Sequence, residues 1–143
     1  MAGRVRAWIG HLAKYPWLWW ALLLVWASVL FVLSANSALP SGPDFPSKDK
    51  VLHCIYFSGG AFCFLLGLWG KARSLIALRF ALGGMAFTAI IGALDEFHQT
   101  FTPGRSGNDP FDWLADLSGG LLGAMIAFLF LQRIRRTDPA AAK

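Results

Sequence analysis

Four stretches of almost uninterrupted apolar residues, Trp17 to Leu33, Val51 to Trp69, Phe80 to Leu94 and Leu117 to Leu131, limit what this chain can fold into more than any other feature. They are continuous rather than alternating, so they do not read as strands of a closed sheet. They read as helices that satisfy every backbone polar group internally, as a segment in hydrocarbon must. A bilayer core of about 30 Å needs about 20 helical residues. The first two runs approach that length, but the last two, at 15 residues each, reach only about 22 Å. Both must extend into polar sequence to cross.

The expected fold is all-α: an integral membrane bundle of four transmembrane helices, at about 16–34, 50–69, 76–97 and 112–132, in a single domain over 1–143. Small residues such as Gly59, Gly60, Gly83, Gly84, Gly119, Gly120 and Gly123 let such helices approach closely, and Gly119 with Gly123 forms a GxxxG pair. Seven Trp and twelve Phe suit interfacial and lipid-facing positions. For the first run the alternative is a cleaved signal peptide behind Arg4, Arg6 and Lys14. Its length and its four Trp (17, 19, 20 and 26) favour an anchored helix.

Charge is distributed by loop. Ten of the 13 basic residues fall in the N-terminal tail, the second loop and the C-terminal tail, leaving Lys48, Lys50 and Arg105 on the other side. By the positive-inside rule both termini are cytoplasmic and the chain is a multi-pass protein of the plasma (inner) membrane. Seven of the eight acidic residues then face the extracytoplasmic side. The net charge of +5 forms no single patch, so nucleic acid is not an expected partner. Cys54 and Cys63 lie about 13 Å apart along one helix, too far for a disulfide. Cys54 beside His53 has no spaced second pair, so no metal site is expected there.

The outward extension of helices three and four draws Asp95, Glu96 and Gln99, then Asp112 and Asp116, to the edge of the hydrocarbon. Ionisable groups at that depth usually mark a site. The structural alternative starts helix three at Leu75, leaves Asp95 and Glu96 in water and makes Asp112 an N-cap. Asp112 and Asp116 are i, i+4 on one face, an unfavourable pair unless compensated. Arg105, after the turn at Pro103 and Gly104, is the one basic residue of that connection, and it is expected to fold back toward the carboxylates. On helix two, Asp49 and His53 are i, i+4, and Lys50, His53 and Tyr56 share the outer end.

Three segments in order carry a family resemblance: "DKVLHCIYF" opening helix two, "DEFHQTFTPGR" after helix three and "DWLADLSGGLLG" opening helix four, with "SANSALP" after the first helix. In these the chain resembles the VanZ-like membrane proteins of bacteria. The resemblance implies a cell-envelope protein whose polar residues correspond here to Lys50, His53, Tyr56, Glu96, Gln99, Arg105, Asp112, Asp116 and Gly119. Relatives carry Asp or Asn at the position of Asp116. It further implies an association with resistance to the glycopeptide teicoplanin, and no established reaction.

Two functions follow as expectations. In the first, an outward polar site binds a lipid-linked envelope precursor or a lipoglycopeptide through Lys50, Tyr56, Gln99, Arg105 and Asp116, with the bilayer as the other partner. In the second, Glu96, His53 and Asp112 are catalytic on a phosphorylated polyprenyl-type lipid, with Mg²⁺ or Ca²⁺ as the cation such carboxylates suit. The cofactor and the oligomeric state are left open.

Overall fold

All four apolar runs are α-helices in a computed structural model that describes residues 15–37, 45–72, 74–105, 107 and 109–137. In chain order these are α1 (Pro16–Ser34), α2 (Lys48–Trp69), α3 (Ala77–Gln99) and α4 (Pro110–Thr137). No strand occurs among the described residues. Each helix is long and apolar enough to cross a membrane, so the chain is a multi-pass membrane protein by length and composition. Of the residues behind the sidedness expectation, Arg4, Arg6, Lys14, Asp44, Arg73, Asp138 and Lys143 lie outside the described part.

Helix ends depart from the sequence expectation where local chemistry sets them. α3 begins at Ala77 and continues through Asp95, Glu96 and Gln99. It thus gains residues at both ends of its apolar run, and the three polar residues are buried rather than placed in water. α4 begins at Pro110 rather than near 112, because Pro suits the first helical position and Asp109 caps it, its Oδ1 accepting the Phe111 N–H at 2.8 Å. Asp112 is therefore inside the first turn and is not the cap.

α4 is the central helix, packed chiefly on α2 and α3, while α1 lies against α2 and only lightly against α3. Glycines make that centre possible. Gly119 and Gly123 face the α2 backbone at the carbonyls of Cys54 and Ser58, and Gly120 faces α3 at Thr88 and Gly84. The GxxxG pair thus packs against one neighbour and the glycine between serves the other. Toward the end formed by Trp69 and Ala77, the core is Trp19, Leu65, Leu66, Phe80, Ala124, Ala127 and Leu131. The opposite end gathers the C-termini of α1 and α3 and the N-termini of α2 and α4, and with them the polar residues.

A Cβ added at Gly84 would stand 2.5 Å from the Gly120 carbonyl oxygen, whereas one at Gly59 meets nothing within 4 Å. Gly84→Val is expected to lower stability in detergent by about 1–3 kcal/mol through overpacking. Gly59→Ala should leave it unchanged or raise it by about 0.5–1 kcal/mol. Thermal unfolding of the two purified variants beside wild type checks the contrast.

Candidate functional site

Two polar networks occupy this same polar end of the bundle, with a cavity between them. The first joins α2, α3 and α4. Lys50 Nζ stands 2.6 Å from Asp109 Oδ2, 2.6 Å from Asp112 Oδ1 and 3.5 Å from Asp49 Oδ2. His53 Nδ1 lies 2.9 Å from Asp116 Oδ1, and Asp116 is wholly buried. Glu96 Oε2 accepts the Asp109 N–H at 2.7 Å, so α3 helps fix the start of α4. The i, i+4 carboxylates of α4 are compensated separately, Asp112 by Lys50 and Asp116 by His53, and both compensating groups come from α2.

Asp112 Oδ1 meets the ammonium as an ion pair without an aligned hydrogen bond. Glu96 Oε1 and Asp116 Oδ2 are buried with no hydrogen-bond partner among the described residues. Gly92 is what admits Asp116 so close to α3, since a Cβ there would collide with Oδ2.

The second network ties α1 to α3 and to the α3–α4 connection. Ser34 Oγ donates to Asp95 Oδ1, and Gln99 Nε2 donates to Asp95 Oδ2 at 2.9 Å. Arg105 Nη1 donates to Gln99 Oε1 at 3.0 Å. Its Nη2 donates to the carbonyls of Asn36 at 3.2 Å and Leu33 at 3.4 Å, and Thr102 Oγ1 donates to the Ser34 carbonyl at 3.0 Å. Arg105 does fold back, but onto the last carbonyls of α1 and onto Gln99 rather than onto a carboxylate. A cation at the negative end of a helix is favourable there.

The cavity, about 450 Å³, is walled by Leu30, Leu33, Leu52, Ile55 and Phe57, and its polar lining is Ser34, Asp49, His53, Tyr56, Asp95, Gln99 and Arg105. It separates the residues singled out in the sequence. His53, Tyr56, Gln99 and Arg105 border it, whereas Lys50, Glu96, Asp112 and Asp116 stand behind His53 in the first network. The Tyr56 hydroxyl donates to the Trp26 carbonyl at 2.8 Å and the Trp26 Nε1–H donates to the Tyr56 carbonyl at 3.0 Å. This reciprocal clasp holds α1 on α2. Lys50, expected to meet a ligand phosphate or carboxylate, makes ion pairs with Asp109, Asp112 and Asp49.

Asp49, Ser34 and Asp109 were not assigned roles from sequence. Asp49 had a signal in its i, i+4 spacing to His53. Ser34 opens the "SANSALP" segment, but nothing in the sequence pairs it with Asp95, 61 residues away. Comparison of the chain with family models, with curated proteins and with solved structures finds no match in any of the three.

Two outcomes are expected. Ser34→Ala removes a donor from the buried Asp95 carboxylate and should cost about 1–3 kcal/mol in thermal unfolding. The Lys50 ammonium, with the Phe111 N–H, holds the Asp109 carboxyl below its ordinary value. A carboxyl depressed on folding contributes stability above its unfolded value, about 3.9, and that contribution is lost as pH falls through the folded value. Between about pH 5 and pH 3, wild type should lose more thermal stability than Asp109→Asn; equal losses would contradict the assignment.

Proposed function

We propose that this is a VanZ-like, multi-pass protein of the bacterial envelope that binds an amphiphile with an anionic headgroup, such as a lipid-linked envelope precursor or a lipoglycopeptide. Its polar end faces outward, with both termini cytoplasmic. The observation that carries the binding reading is the two-part lining of the cavity. Leucine, isoleucine and phenylalanine side chains of α1 and α2 suit an acyl or prenyl chain, and Arg105 at the polar end suits a phosphate or carboxylate. Three of the five guanidinium donors are used on Gln99, Leu33 and Asn36, leaving two without a partner among the described residues. The oxygens of Asp95 are taken by Ser34 and Gln99, which lessens their opposition to an anion. Sequestering such a ligand would change how the cell surface meets teicoplanin.

A second reading, an enzyme acting on the bound phosphorylated lipid, is favoured by one contact. Asp116 at Nδ1 fixes the His53 ring with Nε2 as its lone-pair nitrogen, and His53 borders the cavity, an arrangement suited to a general base. Asp116→Asn separates the readings: the bound lipid is retained in both, and only in the second does a conversion of that lipid slow.

Native mass spectrometry with lipid extraction tests the proposal. A phosphorylated amphiphile is expected to copurify with wild type and to be depleted in Arg105→Ala; equal lipid content in the two would overturn it. Orientation is tested separately after replacing Cys54 and Cys63. An impermeant thiol reagent on intact cells should label Thr100→Cys and spare Ser74→Cys, and the reverse pattern would invert the topology.

A further inference from the structure

Charge is unbalanced where α2, α3 and α4 meet. Asp49, Glu96, Asp109, Asp112 and Asp116 bring five carboxylates around Lys50 and His53. Like charges so close, partly out of water, require more compensation than one ammonium and one imidazole supply. One of the five is also left over. Glu96 is only 5% exposed, and its Oε1 has no hydrogen-bond partner among the described residues. Since Gly92 of α3 lies against Asp116 of α4, Glu96, one turn farther along α3, lies against Asp112, one turn back along the antiparallel α4. Asp112 is itself 7% exposed, and its Oδ1 likewise has no hydrogen-bond partner among the described residues, so this turn of α4 carries a buried carboxylate oxygen that is not satisfied by hydrogen bonding.

Across from that turn, on α2, stand Asp49 and His53: one oxygen each of Asp49 and Asp112 and one ring nitrogen of His53 lie within 4.8 Å of one another. Rotation of the exposed Asp49 side chain would close that spread onto one ion at bonds of about 2.0–2.2 Å. We propose that Asp49, His53 and Asp112 form a site for a divalent transition-metal cation, Zn²⁺ or Mn²⁺. The imidazole selects these over Mg²⁺ and Ca²⁺, which take oxygen ligands. Asp116 supplies what a metal-bound histidine ordinarily has, a carboxylate on its other ring nitrogen that fixes tautomer and orientation. Nε2 is then the ligating atom. Lys50 is an internal competitor, because its ammonium holds Asp112 Oδ1 at 2.6 Å. Its stem is long enough to release Asp112 and keep Asp109. Asp49 and His53 also border the cavity, so the ion stands beside it, but the site does not depend on the amphiphile being bound there.

The test uses the full chain in detergent, stripped with chelator, titrated calorimetrically with Zn²⁺ and separately with Mn²⁺, and analysed for metal content after desalting. Wild type is expected to bind one ion per chain. Asp49→Asn and His53→Gln should each weaken binding about tenfold or more, and Asp116→Asn, which touches no ion, by about 10–100-fold. Lys50→Gln should tighten it, because the competing ammonium is gone. Asp49 is exposed, so Asp49→Asn keeps the fold, as an unchanged thermal melt would verify, and it decides the matter if His53→Gln does not fold. Absence of binding by wild type at millimolar metal, or equal affinity in wild type and Asp49→Asn, would overturn the proposal.

Discussion

The distance at which α2 and α3 stand from α4 governs the rest of this molecule. Between helices in lipid there is no hydrophobic drive to association, so close van der Waals approach has to hold them together. Gly119, Gly120 and Gly123 allow it on two sides of one helix. Asp116 and Asp112 lie one and two turns nearer the start of that helix. The approach set by the glycines thus delivers them to His53, Lys50 and the face of Glu96. With a larger residue at Gly120, α3 would stand off and Glu96 could no longer reach the Asp109 N–H.

Burying so many ionisable groups at the end of a membrane bundle is tolerable in part because most of them find a partner within their own network. Lys50 answers Asp109 and Asp112, His53 answers Asp116, and Ser34 with Gln99 answers Asp95. Pairing of this kind offsets desolvation more than it adds stability. Nothing in the packing of the apolar core requires carboxylates at these places. What holds the helices together therefore does not account for them.

The helices were legible in the sequence because a continuous apolar run in lipid has one backbone solution, and the shortness of the last two runs pointed to Asp95, Glu96, Asp112 and Asp116. Contacts within one helix could be anticipated from i, i+4 spacing. Contacts across helices could not. Nothing in the spacing of Lys50 and Asp109 foretells that they pair, and a loop aspartate gives no sign that it will cap α4 and accept an ammonium together. Arg105 was read as a partner for carboxylates because it is the one cation in its connection. The carbonyls that end α1 are invisible as acceptors until that helix is positioned beside it.

α1 differs from the other three helices in how it is kept. Apart from its aromatic contacts with α2, α3 and Phe130 and the Trp26–Tyr56 clasp, its C-terminal end is tied by side chains of the α3–α4 segment that meet Ser34, Leu33 and Asn36. It supplies Leu30, Leu33 and Ser34 to the cavity and, among the described residues, no partner to the ion pairs of Lys50. The apolar wall is thus shared, Leu30 and Leu33 coming from α1 and Leu52, Ile55 and Phe57 from α2, and only the α2 part lies on the helix that also carries Lys50 and His53. Substitution at Leu30 or Leu33 can therefore reshape one side of the cavity while the charged residues of α2 and α4 are inherited unaltered.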